Sequence, residues 1–257
     1  MKKSIQIIAT AFAILLGNAG VSQVDSVYIV KGDSVLAVYA TTDVDSVIFY
    51  NPNPIDTTTN STITDVDGNV YTSVTIGTQE WMVENLRTSK YSDGTSIPNV
   101  IGNTDWYKLS TGAWCNYDNG SSNDATYGKL YNWYAVETGK LCPTGWHVPT
   151  DAEWTVLTNY LSANGHNGFT EGTALKATSG WVSGNGTDDY GWLGLPGGGR
   201  IHDNGYFFGI GGNGNWWSSS QYNTSIAWTR SLKFDYDYVI RYSNNKKNGF
   251  SVRCLRD

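Results

Sequence analysis

The run from Tyr127 to Leu161, YGKLYNWYAVETGKLCPTGWHVPTDAEWTVLTNYL, restricts what this chain can fold into more than any other stretch. Thr150 follows Pro149 and stands three residues before Glu153. Its hydroxyl can therefore accept the Glu153 amide while the Glu153 carboxylate reaches back to the Thr150 amide. Trp154, Leu157 and Leu161 recur at i, i+3 and i+7 as one apolar stripe, and Asn164-Gly165 offers a left-handed stop. This spacing predicts a helix of about three turns resting on an apolar surface. Ahead of it, Leu130, Trp133, Tyr134 and Val136 predict a first, less regular helix, separated from the second by a corner marked by Pro and Gly.

Further segments recur with it in a fixed order: DVDGNVY at Asp65 to Tyr71, IGTQEWMVENL at Ile76 to Leu86, LPGGGR at Leu195 to Arg200, WWSSS at Trp216 to Ser220 and GFSVRC at Gly249 to Cys254. Together they resemble the Fibrobacter succinogenes major paralogous domain over roughly Asp65 to Asp257. The Pro-Thr-x-x-Glu-Trp helix start and the Gly-Phe-x-x-Arg-Cys ending are also similar to the sulfatase-modifying, formylglycine-generating family. The resemblance implies an α+β fold of the C-type-lectin-like kind, with two helices, an antiparallel sheet and a long irregular loop region. It also implies a bacterial envelope or secreted setting, and no particular substrate.

The remaining chain divides by composition. Met1 to Ser22 carries Lys2 and Lys3, an apolar run from Ile5 to Leu16 and small residues at Gly20 and Ser22, the pattern of a Sec-type signal peptide. Its apolar run is shorter than the ~18 to 20 residues that a membrane span requires. No cysteine lies near residue 20 to accept a lipid, so the expected address is the periplasm, the outer surface or the medium, with no span after leader removal. Residues 23–50 nearly repeat themselves as VDSVYIV and VDSVIFY, a small β appendage with a turn at Lys31-Gly32-Asp33. Residues 51–64, NPNPIDTTTNSTIT, read as a linker. The main domain is expected over 65–257, with no sorting domain after Asp257.

Within that domain Val70 to Ile76 and Glu80 to Val83 are expected as strands around a Gly77-Thr78 turn, with Trp81 in the core. Ala113 to Tyr117 is a short strand, and Glu171 to Ala177 a helical turn. At the C-terminal end, alternation in Ile226 to Phe234 and Tyr236 to Tyr242, then Phe250, Val252 and Cys254, predicts an antiparallel meander with one buried face. Between them, Ser179 to Asn215 shows no convincing regular element apart from Tyr206 to Gly209. A loop of over thirty residues in a compact domain reads as functional.

Chemistry is easier to exclude than to assign. The chain has 29 Gly, 11 Trp and 17 Tyr, and its net charge is -6. Without Lys2 and Lys3 the count is 15 basic against 23 acidic, a net of -8, which argues against nucleic acid or anionic lipid as the partner. Three histidines, His147, His166 and His202, form no zinc-ligand spacing. His147, two residues before the Pro149-Thr150 cap, is expected to be a packed, hydrogen-bonded side chain. The GxGxxG at Gly209 to Gly214 leads into an aromatic strand and no helix, so it is discarded as a phosphate site. Asp118, Asn119, Asn123 and Asp124, and also Asp188 and Asp189, offer oxygen ligands, but Asx turns explain both clusters. No metal or cofactor is therefore expected, with calcium kept open because the resembling fold often uses it.

Of the three cysteines, Cys142 and Cys254 are expected to form a disulfide closing a loop of over a hundred residues, leaving Cys115 as a half-buried thiol. The formylglycine-generating family relies on paired redox cysteines near its C-terminal region, and only Cys254 lies beyond Cys142, so that activity does not carry over. What remains is recognition. Trp192, Arg200, Asp203, Tyr206 and Trp217 in or beside the long segment are the expected ligand-binding residues, suited to a glycan or an envelope protein. The alternatives are a structural or adhesive envelope subunit assembled through residues 23–64, and an enzyme of the formylglycine-generating type.

Overall fold

The computed structural model describes residues 62–257 throughout and, of residues 1–61, only the backbone of four strands. In that first unit Ser26–Lys31 pairs antiparallel with Ser34–Ala40, and Ile5–Ile7 runs parallel to Val47–Phe49. The leader cleavage site and nearly all of the linker lie outside the described residues.

The second unit, Asn60–Asp257, is α+β. It begins before Asp65, because Ile63–Thr64 already pairs with Val70–Tyr71 and Ile63 is buried. The turn between them is made by the DVDGN run. The Asp65 carboxylate accepts the amides of Asp67 and Asn69, the Asn69 amide group and, at 2.6 Å, the Tyr71 hydroxyl. Gly68 takes φ 85°, which a side chain would resist.

Two sheets carry the unit. In the first, β1 (Ser73–Ile76) and β2 (Gln79–Met82) form the expected hairpin, and β3 (Trp146–His147) lies beyond them. The second has five strands: β4 (Gly197–Arg200), β5 (Phe207–Ile210), β6 (Asn213–Gln221), β7 (Ile226–Lys233) and β8 (Ile240–Asn245). The last strand, β9 (Leu255–Arg256), returns to the first sheet, whose order is β3-β9-β2-β1, so it lies between the early β1–β2 hairpin and β3. The second sheet has the order β5-β4-β6-β7-β8, antiparallel except for the parallel β4/β6 contact.

Five short helices accompany them: α1 (Asn103–Tyr107), α2 (Asp124–Tyr127), α3 (Trp133–Val136), α4 (Asp151–Leu161) and α5 (Glu171–Leu175). The reciprocal Thr150–Glu153 cap of α4 is present, and Trp154, Leu157 and Leu161 are its buried stripe. Beyond Leu161 the chain makes one wider turn before Gly165, at φ 110°, and Asn167, at φ 47°, end it. Cys142 and Cys254 are joined at a sequence separation of 112, and Cys115 is free and buried. Burial pushes the Cys115 thiol up to about 12, against the pull of the Arg200 guanidinium, so it is protonated at ordinary pH.

Two expectations fail here for identifiable reasons. The span Ser179 to Asn215 is less irregular than expected, since besides β5, anticipated at Tyr206 to Gly209, it contains all of β4 and the start of β6. Glycine hides these strands from hydropathy patterning. At Gly198 a Cβ would lie 2.5 Å from the Phe208 carbonyl, and at Gly199 it would lie 2.8 Å from the Phe208 ring and 2.9 Å from that of Phe250. Their neighbours' rings fill the space that side chains would fill elsewhere. The second failure is the C-terminal meander, which has two strands and not three. Phe250 to Leu255 is buried on every side. It bridges to Tyr131 and Trp216 and then joins β2 and β3, so it is a central wedge between the sheets.

Candidate functional site

The aromatic segment expected to meet a ligand is mostly interior. Trp216 and Trp217 point to opposite faces of β6, as alternation requires, but both faces are covered. Trp217 packs with Phe250 at 4.8 Å between ring centroids, beside the disulfide. Trp216 joins Trp81, Trp154 and Trp192 in a second cluster, with Trp192 5.1 Å from Trp216 and 5.8 Å from Trp154. Trp192 is 1% exposed and Trp217 0%. As ligand contacts both are corrected to core residues: burying an indole on a sheet removes more apolar surface from water than any smaller side chain could.

Arg253 closes the tryptophan cluster. Its guanidinium lies 3.8 Å from the Trp192 ring centroid and donates to the carbonyls of Trp192 and Leu193 and to Asn85 Oδ1. No carboxylate touches it, and burial lowers its pKa to about 9.

Arg200 is corrected in the same way. It is wholly buried. Its Nε donates to the Gly205 carbonyl at 2.8 Å, Nη1 to Val100 at 2.6 Å, and Nη2 to Ile101 at 2.9 Å and to Asn103 Oδ1 at 3.0 Å. The rings of Trp106 and Phe207 lie over its plane at 4.5 and 4.7 Å. One cation thus knots the loop 100–103 to the loop 201–206. Gly205 is required at that crossing, because a Cβ there would lie 2.5 Å from the Asn103 carbonyl.

What the knot displays is a rim. Tyr206 and Ile101 are each 61% exposed, and Asp203, three residues before Tyr206, is exposed as well. Of the five expected ligand residues, Asp203 and Tyr206 are therefore on the surface, and Arg200 is their support from below. Ile101 was missed because its place on the rim depends on bonds to a residue about a hundred positions away. A second exposed group, Phe234, Tyr236 and Tyr238, was also missed: read as strand alternation, it is the turn between β7 and β8.

The remaining chemical candidates resolve into structural roles. His147 bonds Asp257 Oδ1 at 2.7 Å and both Glu153 oxygens at 3.1 Å, tying the C-terminal strand to the α4 cap. Burial opposes its charged form, but these two carboxylates outweigh it and raise its pKa. Asp188, at φ 49°, accepts the Leu193 amide and has its pKa raised by burial. Asn119 and Asn123 donate to carbonyls, and Asp124 pairs with Lys129 at 2.8 Å. Among the described residues no three His, Cys, Asp or Glu side chains gather as a metal site, and no helix is long and apolar enough to cross a membrane.

No curated protein and no solved structure matches this sequence. The sequence profile of one family does, over residues 74–256, the span from the β1–β2 hairpin to β9. The chain therefore belongs to the Fibrobacter succinogenes major domain family.

Proposed function

We propose that this protein is an exported, non-catalytic binding module of C-type-lectin-like fold that recognises a glycan or a protein ligand at the bacterial envelope. The observation that carries this reading is the rim held on Arg200, where Tyr206, Asp203 and Ile101 stand exposed on loops fixed from beneath by four guanidinium hydrogen bonds. Loops fixed in advance lose less entropy when a ligand arrives. The fold assignment is supported by the return of the C-terminal strand β9 to the sheet of the early β1–β2 hairpin, with the glycine- and aromatic-rich excursion between them. The address rests on the leader-like residues 1–22. The non-catalytic reading is supported by the cysteines: Cys254 is bonded to Cys142 and Cys115 is buried, so no pair of free thiols stands ready for formylglycine-type oxidation.

The test is a glycan array and a pull-down from envelope extract with the full chain and with Tyr206→Ala and Asp203→Ala. Binding that falls at least tenfold in these variants, a loss of about 1.4 kcal/mol, is expected. Equal capture by wild type and both variants would remove the rim as the site.

A further inference from the structure

The connection from β7 to β8, Lys233 to Tyr238, is clamped from below by a buried ammonium. Lys176 is 1% exposed, and its Nζ donates to the carbonyls of Tyr236 at 3.0 Å and Lys233 at 3.3 Å. Three further segments grip the same turn. The Thr173 amide and hydroxyl donate to the Asp237 carbonyl at 2.9 Å and to its Oδ1 at 3.0 Å, and the Phe234 amide donates to Gly212 at 2.9 Å. At Gly172 a Cβ would lie 2.7 Å from the Tyr238 carbonyl, and at Gly184 it would overlap that of Phe234. Burying a lysine is costly unless its protons are bonded, and here the bonds are spent on the carbonyls of one turn.

What the clamp holds outward is FDYDY. Phe234, Tyr236 and Tyr238 are each more than a third exposed, and Asp235 and Asp237 are exposed between them. Val182, 69% exposed, stands beside them, its amide bonded to Gly211 next to the Gly212 that holds Phe234. The rings of Tyr236 and Tyr238 meet edge to face, 5.2 Å apart at 88°, and so make a corner and not a platform. The Lys233 ammonium, 5.5 Å from the Tyr236 centroid, already uses one ring face as a cation acceptor.

We propose that this turn is a second recognition site, independent of the Arg200 rim, and that it takes a lysine or arginine side chain of a protein partner. Aromatic faces attract cations, and the apolar stem of such a side chain can lie along Val182 and Phe234 while its head meets the two carboxylates. A sugar is a poorer match. It would stack on a flat platform, which the edge-to-face pair does not make, and it would gain nothing from the charge of the two carboxylates. The chain's net charge of -6 favours a basic partner in the same sense.

The experiment measures fluorescence anisotropy of a labelled octapeptide of alternating lysine and glycine with the full chain. Its glutamate counterpart and a neutral β-linked glucan oligosaccharide serve as comparison probes. The lysine peptide is expected to bind, to weaken as salt is raised, and to lose about three- to tenfold in affinity in the double variant Asp235→Asn/Asp237→Asn and again in Tyr236→Leu. Unchanged melting temperatures confirm folding of these surface variants, and Tyr206→Ala should leave peptide binding intact, which separates this site from the rim. No binding of the lysine peptide, equal binding of the glutamate peptide or the glucan, or indifference to all of the turn variants would overturn the proposal.

Discussion

Tryptophan is concentrated in the interior of this molecule, whereas tyrosine is found both inside and out. In the interior, Trp81, Trp154, Trp192, Trp216 and Trp217 are each at most 1% exposed, whereas Tyr206, Tyr222, Tyr236, Tyr238 and Tyr242 lie on the surface. The buried cations divide similarly. Arg253 stands among the indoles and stacks on them, while Arg200 and Lys176 lie under loops that end in tyrosines. Even Arg230, which does have a carboxylate, shares Asp151 with Arg241, at 2.7 Å from each. The comparison teaches what a polar tip allows. Indole fills volume inside, whereas phenol serves in both places: Tyr71 and Tyr131 are fully buried with their hydroxyls bonded to Asp65 and to the Thr88 carbonyl, and the exposed tyrosines keep the tip in water.

The largest effect should come from emptying the interior. Trp192→Ala removes a fully buried indole and is expected to cost about 3–5 kcal/mol in urea unfolding, whereas Tyr206→Ala should stay within about 0.5 kcal/mol. A similar cost for both would break the division between interior and rim. Smaller, at about 2–3 kcal/mol, is the expected cost of Arg200→Met, which leaves the carbonyls of Gly205, Val100 and Ile101 without their donor. Its distinguishing sign is faster amide exchange in loops 100–103 and 201–206 with the tryptophan cluster still protected.

The smallest effect concerns the polar turn at the start of the unit. Burial alone would raise the Asp67 carboxyl, but the Ser89 amide and hydroxyl and the Lys90 ammonium hold it down to about 2. A carboxyl depressed in the folded state stabilises above its unfolded pKa, and that contribution disappears as pH falls through the folded value. Between about pH 4 and pH 2 the protein should therefore lose stability through this group, about 1 kcal/mol once solvent screening at this exposed turn is allowed for. Acid titration of Asp67→Asn, followed by circular dichroism, should show that portion of the decline missing.

The parts legible in the sequence are those specified by near neighbours or by rare residues. The α4 cap needs only Thr150 and Glu153, three positions apart, and the hairpin β1–β2 needs only its glycine turn and flanking alternation. The disulfide was legible because only three cysteines exist. The site was half legible: Asp203 and Tyr206 are on the surface, but Trp192, Trp217 and Arg200 are not. An aromatic, glycine-rich segment reads alike whether its rings face outward or fill the gaps that glycines leave in neighbouring strands. Gly198 and Gly199 in β4 create such gaps, and glycine carries no hydropathy signal of its own.

Composition and short-range spacing by themselves determined a capped helix, one covalent tie and abundant rings, while the α+β class came from the resemblance of the ordered motifs to a known family. Which rings are sealed and which are shown was decided only when β4, β6 and the Phe250 to Leu255 wedge came together, since burial is a property of what arrives from elsewhere in the chain. The same holds for Arg200 and Lys176. A cation in a sequence attracts any acceptor, and only the folded backbone determines that its acceptors are the carbonyls of two particular loops.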